Sequence, residues 1–551
     1  MTKRISKMLL ALLLVMSMLV ALAACGESET KKKYMNMSRD DSDGSESGEV
    51  SQESSDDIFH ESTSDDFIEN SSDKSDVYEV PIGPSWGEEI EIPDNGGFLE
   101  RENFGGTEVN VLTHSSWEND YVTYQVDADE GHYDSVVNAI YRRNKFIKEE
   151  YGIDINVVYP ASGEDLVTMY LTDNMAGMNS YQAIVYPIYY LAPLAAEGFL
   201  KDINSIDNGY IRLDKEYWDQ TLIKDVAINN KVFFLSGDAL LQDDLSTWVM
   251  YCNLDLIEEY GLENPYDLVR ANEWTIDKMY EMLQKVELTQ GAYKSYEPWV
   301  GDKWGMVAQT YDFHQFMLGA EQRLVSNDGS VPSLRIMDEE NVNTFEKIAG
   351  WFMYDTLNIG VADYYGNWDS GIYNNEIQIF TYGNALFMPN SLEKLMCMDF
   401  RETAVNYGIL PMPKRSSLQE NFASGTNSYT FDVIAIPSYL DGELLDATCY
   451  ALEAMAYFGK ELVTPEFYDR TLSYKKLRDD DSIEMLDIIF ANRIYDLGSI
   501  FNFNSGDPNR GTLYFYTSLV SDRSDAIELL YDQMEYSYLV GIDTLIMQCY
   551  N

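Results

Sequence analysis

A chain of 551 residues with 45% apolar and 13% aromatic side chains exceeds one hydrophobic core and predicts two to four domains. Its net charge of −55 repels nucleic-acid backbones and anionic lipid headgroups, which argues against DNA, RNA or polybasic membrane binding. The 41 tyrosines outnumber the 38 lysines and arginines, and each joins a flat apolar face to a polar handle, suited to a polar ligand or simply to a secreted surface.

Lys3, Arg4 and Lys7 precede an almost wholly apolar run, Met8 to Ala24, broken only by Ser17. Charge followed by a short apolar stretch is the plan of a secretory signal. The run ends in Leu22-Ala23-Ala24-Cys25-Gly26, which resembles a bacterial lipobox. That resemblance implies cleavage after a signal peptide at 1–24, acylation of Cys25, and a lipid anchor on the outer face of the bacterial cytoplasmic membrane. Residues 38–76 then carry fourteen acidic side chains, two basic ones and twelve serines. Such a segment buries too little apolar surface to offset its ordering entropy, and its like charges extend it. Residues 25–103 therefore read as an acidic, Ser-rich disordered tether, with order beginning near Phe104.

Glu108–Leu112 alternates as a strand. Val136, Val137, Ile140, Ile147 and Tyr151 recur at helical spacing behind a capping Asp134, and Gly152 ends the helix. Ile153, Ile155, Val157 and Tyr159 alternate as the next strand, giving a parallel α/β unit. Ala183–Tyr186 is a third strand, with a turn and short helix over Tyr189 to Gly198. Thr247–Tyr251 and Trp304–Ala308 read as strands, and Trp274–Val286 as a helix. Helices are also expected over Ala447–Phe458, Ile483–Tyr495 and Ala526–Met534.

Three stretches carry a family resemblance. They are Asn230–Asp238 followed by Val249–Leu256 (Val-Met-Tyr-Cys-Asn-Leu-Asp-Leu), then Phe380-x-x-Gly383-Asn384-Ala385-Leu386-Phe387-Met388, then Tyr407-Gly408-Ile409-Leu410-Pro411-Met412-Pro413. In order and spacing they resemble extracellular solute-binding proteins of the carbohydrate-import, maltodextrin-binding type. Cys252, where the family carries a bulkier residue, and several long insertions depart from the pattern. The resemblance implies an α/β, two-lobed periplasmic-binding-protein-like fold, each lobe a sheet flanked by helices, with a ligand cleft between lobes. One lobe would comprise residues 104–247 and 407–460, the other 250–405 and 465–551. Two or three crossings would join them and a hinge would close them. The implied function is delivery of a small polar solute, an oligosaccharide by preference, to ABC importer permease subunits.

Ligands of open α/β sheets gather beyond the carboxyl ends of strands. That rule selects Trp117, Tyr186, Tyr189, Asp243, Asp244, Trp248, Tyr311, Phe313, Asn390 and Tyr429. A pyranose packs its C–H face on an aromatic ring and offers hydroxyls to planar amides and carboxylates; the same aromatics also suit a core. Trp299, Trp304, Trp351 and Trp368 are assigned to packing.

Catalytic signatures are sparse. Gly83-Pro84-Ser85-Trp86-Gly87 matches G-x-S-x-G but lies in the tether, without the strand and helix of a nucleophile elbow. Ser391-Leu392-Glu393-Lys394 matches S-x-x-K with no accompanying K-T-G, and reads as coincidence. No two of His60, His114, His132 and His314 have metal-ligand spacing, so neither metal nor cofactor is expected. Cys252, Cys397, Cys449 and Cys549 form no C-x-x-C pair and fit disulfides or buried thiols equally. A surface-anchored glycoside hydrolase, which needs only two carboxylates, and a non-transport adhesion or sensory module stand as alternatives.

Overall fold

The computed structural model describes residues 97–116, 120–161, 164–286, 294–327, 331–367, 370–468, 480–504 and 507–550. The signal run, Cys25 and the acidic segment lie outside these residues, as do Trp117 and Trp368. The strands are β1 (Thr107–Leu112), β2 (Ile153–Val158), β3 (Ala183–Pro187), β4 (Trp248–Asn253), β5 (Trp304–Ala308), β6 (Val325–Ser326), β7 (Ser333–Leu334), β8 (Ile359–Val361), β9 (Ala385–Ser391), β10 (Tyr407–Leu410) and β11 (Asp432–Ala435). The longer helices are α1 (Ser135–Tyr151), α2 (Leu166–Ala176), α3 (Ile188–Ala196), α4 (Ile276–Leu283), α5 (Asp312–Gly319), α6 (Glu339–Tyr354), α7 (Ile372–Thr381), α8 (Gly442–Phe458), α9 (Asp480–Ala491), α10 (Tyr514–Ser521) and α11 (Ile527–Tyr550).

The first α/β unit forms as its sequence predicts. Asp134 accepts hydrogen bonds from the backbone N–H groups of Val136 and Val137, starting α1. Gly152 ends it at φ 64°, where its N–H reaches Lys148 O and a Cβ would be strained. The chain then enters β2, which pairs in parallel with β1 from Thr107↔Ile153 to Leu112↔Val158. β3 lies parallel on the other side of β1, and β11 pairs antiparallel with β3, giving the order β11-β3-β1-β2. α8 packs its apolar face on this sheet. Order begins earlier than Phe104: the Phe98 ring already lies 5.1 Å from Phe458 and 5.5 Å from Tyr151. An apolar pair, Phe98-Leu99, is enough to seat the chain on this core.

The second sheet has the order β10-β4-β9-β5-β8. β5 runs parallel to both β8 and β9, while β4 is antiparallel to β9 and β10. The fold is thus α/β with two main sheets, each flanked by helices, as expected, and β6 and β7 add a small antiparallel pair. Tyr407–Leu410, the expected start of the return to the first lobe, is instead the edge strand β10 of the second sheet. Its four residues are buried and pair with Met250–Asn253, so the return falls after Leu410. The helix expected over Trp274–Val286 is shorter because Trp274 is spent on packing: its indole N–H donates to Pro411 O at 2.9 Å, and Thr275 supplies the N-cap. The last helix extends well past Met534, to Tyr550. Cys252, Cys397, Cys449 and Cys549 are thiols rather than disulfides, the first, third and fourth buried. Among the described residues no helix is long and apolar enough to cross a membrane.

One buried carboxylate organises the first core. Glu453 of α8 is fully buried and accepts from Arg212 Nε (2.7 Å), Arg212 N (3.1 Å), Trp218 Nε1 (3.0 Å) and the Tyr217 hydroxyl. It pins the long connection over 202–219 onto the helix. Glu453→Ala leaves these donors without their acceptor and is expected to lower unfolding stability by about 3–5 kcal/mol. Urea denaturation followed by circular dichroism measures the change; a loss below about 1 kcal/mol contradicts this account.

Candidate functional site

The carboxyl ends of β1 and β3 and the amino end of the antiparallel β11 share one edge of the first sheet, since Asp432 pairs with Pro187. The carboxyl ends of β5 and β9 and the amino end of β4 share one edge of the second, since Trp248 pairs with Ser391. Three chain segments cross between the sheets side by side. Trp248 N donates to Gly425 O (2.8 Å) and Asn427 N to Ser246 O (2.9 Å), joining the first crossing to the second. Ser424 N donates to Asn492 O (3.2 Å) and Ile494 N to Ser424 O (3.0 Å), joining the second to the third.

A charge clasp fixes this junction. Arg493, buried on the third crossing, meets Asp243 (3.2 Å) and Asp244 (2.5 Å) just before the first crossing, and Asp219 (3.3 Å) from the first half. The Tyr495 hydroxyl also donates to Asp219, at 2.5 Å. Burial raises the pKa of Asp243 well above its usual range and that of Asp244 in the same direction, and the Arg493 charge opposes both. Asp243 and Asp244, expected to contact ligand, have their carboxylates turned to this arginine.

Beside the clasp a cleft of about 290 Å³ opens. Trp248, Tyr311, Tyr373 and Tyr429 supply its aromatic walls; Gln309, Asn390 and Asn427 supply planar amides; Glu393 and Lys394 supply one charge of each sign. The rings continue across the junction. Centroids follow from Trp248 to Tyr311 (5.4 Å), to Tyr429 (6.3 Å), to Tyr189 (4.5 Å), to Tyr190 (5.2 Å), to Tyr186 (5.2 Å) and to His114 (5.0 Å). Tyr429 also hydrogen-bonds the Tyr514 hydroxyl, and Asn502 donates to the Tyr189 hydroxyl at 3.2 Å. Burial pushes the Tyr186 phenol up to about 12 and the Tyr189, Tyr311 and Tyr429 phenols in the same direction, so all four stay neutral donors. At the far end His114 pairs with the buried Asp432 at 2.9 Å, and Gln125 donates to the same carboxylate at 2.6 Å.

Five of the ten expected ligand residues therefore share one aromatic run: Tyr186, Tyr189, Trp248, Tyr311 and Tyr429. Asn390 joins them at the cleft wall. Phe313 does not: it is fully buried among Phe345, Phe352 and Tyr516, because two residues past Tyr311 the start of α5 turns its side chain into the core. Its neighbour His314 is equally buried, and desolvation lowers its pKa to about 3, leaving it neutral. Trp117 lies outside the described residues. Gln309, Tyr373, Glu393, Lys394, Asn427 and Thr430 line the cleft without having been expected there. Gln309 could have been found, since it directly follows the strand Trp304–Ala308. Ser391 and Lys394 of the isolated S-x-x-K string also reach the cleft.

Residues 118–388 match the family model of bacterial extracellular solute-binding proteins. Among solved structures, the chain is similar to an ABC substrate-binding protein from Listeria monocytogenes in complex with cycloalternan (14% identity, 78% of this chain and 97% of that one, TM-score 0.49). It is also similar to a maltose-binding periplasmic protein from the same organism in complex with maltose (15%, 81% and 99%, TM-score 0.49). A third is an ABC transporter solute-binding protein from Agrobacterium radiobacter K84 in complex with ribitol (14%, 80% and 100%, TM-score 0.49). No curated protein matches the chain.

The clasp makes a direct prediction. Arg493→Met leaves three acidic side chains facing one another without their cation, and is expected to cost about 3–5 kcal/mol at neutral pH. Because Asp243 and Asp244 take up protons readily in this burial, the penalty should shrink as pH falls. Thermal unfolding of both proteins across a pH series checks the sign; a penalty independent of pH rules the clasp out as its source.

Proposed function

We propose that the cleft captures a neutral oligosaccharide for an ABC importer, that the protein catalyses nothing, and that Cys25 carries the lipid anchor holding it to the membrane surface. The observation that carries the ligand class is the unbroken run of rings from Trp248 to Tyr190, flanked by Gln309, Asn390 and Asn427. Successive rings about 5 Å apart offer stacking faces to successive apolar sugar faces. The amides supply both donors and acceptors, which hydroxyls require. Phenols that stay neutral add hydrogen bonds without selecting a charge. A chain of net charge −55 also disfavours an anionic solute at long range.

In this reading the two sheets belong to two lobes that close on the ligand about the three crossings. The first lobe runs to residue 247 and resumes after Leu410; the second holds β4 to β10. The acyl chains at Cys25 anchor at about 0.8 kcal/mol per buried methylene, and the acidic segment spaces the lobes from the membrane. Permease subunits would receive the ligand from the closed form.

A thermal-shift panel of sugars and peptides on the full chain tests the ligand class. A matching oligosaccharide at about 100 times its Kd should stabilise by about 2.7 kcal/mol. Stabilisation by a peptide and by no sugar overturns the assignment, and release of product from a chromogenic glycoside overturns the absence of catalysis. Tyr311→Ala and Tyr429→Ala should each weaken sugar binding by about tenfold or more, about 1.4 kcal/mol, measured by calorimetry. Unchanged affinity in both means that the aromatic run is packing alone.

A further inference from the structure

Each sheet backs the groups at its cleft edge with buried carboxylates. On the second sheet, Asp312 of α5 and Glu376 of α7 are fully buried. Asp312 accepts from the Trp248 indole N–H (3.0 Å) and from Gln309 N (2.7 Å), and Glu376 accepts from Asn390 Nδ2 (3.1 Å). Trp248, Gln309 and Asn390 all line the cleft. On the first sheet the carboxylate is Asp432, which opens β11 and is fully buried. The group in front of it is His114, two residues past the end of β1, with 26% of its side chain exposed.

The contacts at Asp432 fix one atom of the imidazole. Nε2 lies 3.0 Å from Oδ1 and 2.9 Å from Oδ2, so the carboxylate holds that nitrogen with both oxygens. Gln125, also buried, donates from Nε2 to Oδ2 at 2.6 Å, while its own Oε1 accepts nothing. The amide is thus turned to the carboxylate as a donor, and Asp432 is the acceptor for both neighbours. Gln125 is anchored in turn. Arg143 of α1, buried, donates to Gln125 O (3.4 Å) and Val126 O (3.0 Å). Edge-on contact with Tyr186, centroids 5.0 Å apart and planes at 88°, sets the plane of the His114 ring. Tyr186 leads through Tyr190 (5.2 Å) to Tyr429 (6.5 Å) on the cleft wall.

The other ring nitrogen is left open. His114 Nδ1 has no hydrogen-bond partner among the described residues and is not buried. The bond made by one histidine nitrogen sets the role of the other. With Nε2 donating to Asp432, Nδ1 accepts when the ring is neutral and donates when it is protonated. A hydroxyl meets either state, because it both donates and accepts. An anion gains little. Beside an ionised Asp432 the pair carries no net charge when the ring is protonated and one negative charge when it is neutral.

We propose that His114 is a specificity-determining ligand residue: its open Nδ1 meets a hydroxyl of the captured sugar at the first-sheet end of the aromatic run, Asp432 and Gln125 are the positioning residues that fix the ring, and the pair admits a neutral sugar while turning away an acidic one. The inference rests on the oligosaccharide reading for its ligand, but the state of the ring is a property of the free protein.

Two measurements on the full chain decide the matter. The first uses no ligand. The chain has four histidines, His60, His114, His132 and His314, so histidine-selective nitrogen-15 labelling gives few ring signals. The His114 signals are those lost in His114→Gln. In the wild type the His114 Nε2 should carry a proton. Asp432→Asn, whose amide can itself donate to Nε2, should move proton population toward Nδ1. A wild-type ring protonated at Nδ1 alone overturns the proposal, and His114 signals unchanged in Asp432→Asn overturn the positioning role.

The second measurement is calorimetry with a pool of neutral gluco-, galacto- and manno-oligosaccharides and with a pool of oligogalacturonides. Glutamine places an amide nitrogen where Nε2 stood, so His114→Gln keeps a donor for Asp432 and lacks Nδ1. It should unfold at the wild-type temperature and bind the neutral pool about tenfold more weakly. The same pool should move the wild-type His114 Nδ1 signal, a readout that stands even if the variant misfolds. Wild-type affinity in His114→Gln, an Nδ1 signal that stays still on binding, or tighter binding of the acidic pool overturns the proposal. If neither pool binds, the oligosaccharide reading itself falls and takes the ligand role of His114 with it. A neutral pool that binds both proteins equally removes His114 alone.

Discussion

The arrangement of this molecule turns on one guanidinium. Arg493 stands where three chain crossings meet and faces Asp219, Asp243 and Asp244. An arginine cannot discharge by losing its proton, so its burial demands carboxylates. The aspartates can discharge, but only by giving up the charge-assisted hydrogen bonds that hold the crossings together. The clasp therefore fixes the place where the first crossing leaves the first half. Four residues beyond Asp244, Trp248 opens β4 and the cleft begins. A shift at the clasp would move Trp248 against Ser391 and Gly425, its partners in the second sheet and the second crossing.

The aromatic run depends on that alignment because its members come from distant parts of the chain. Tyr186, Tyr189 and Tyr190 end β3 or begin α3; Trp248 begins β4; Tyr311 precedes α5; Tyr429 sits on the second crossing. The carboxyl edges of both sheets must face the same space for these rings to touch. Once they do, burial keeps the phenols neutral and the rings support one another edge to face, as Trp248 and Tyr311 do. The segment over 497–550 reinforces the arrangement from outside. Asn502 bonds Tyr189, Tyr514 bonds Tyr429, and the backbone of Cys549 accepts from Asn229 of the first half.

What could be read from sequence was whatever local spacing determines. The β1-α1-β2 unit was legible because Asp134, the apolar helical face and Gly152 all act within a few residues of one another. The rule that ligands gather beyond strand carboxyl ends selected Tyr186, Trp248, Tyr311, Asn390 and Tyr429, which the fold brings to one cleft and its aromatic run, without knowledge of sheet order. It went astray where the partner lay far along the chain. Asp243 and Asp244 show their charge in the sequence, but Arg493, 249 residues from Asp244, does not announce itself. Phe313 went astray by geometry alone, since two residues along a helix start reverse which way a ring points. β10 was misplaced because the return motif was taken as one piece, whereas its first four residues complete the second sheet before the chain turns back.

A second cavity sharpens the case for the first. The groove lined by Asn509, Tyr514, Phe515, Leu530, Met534 and Tyr538 has the same volume, about 290 Å³. Size cannot separate the two. Origin does: the groove is made by α10, α11 and the chain just ahead of them, so it is the ordinary gap between neighbouring helices of unequal side chains. The cleft instead draws on β4, the ends of β5 and β9, α7 and the second crossing. Chain folding does not bring five separated segments to one polar-rimmed hollow to fill space, because close packing would favour apolar side chains there. Holding Gln309, Asn390 and Trp248 in place over buried acids costs stability. That cost is what separates a surface shaped to receive a solute from a gap left by packing.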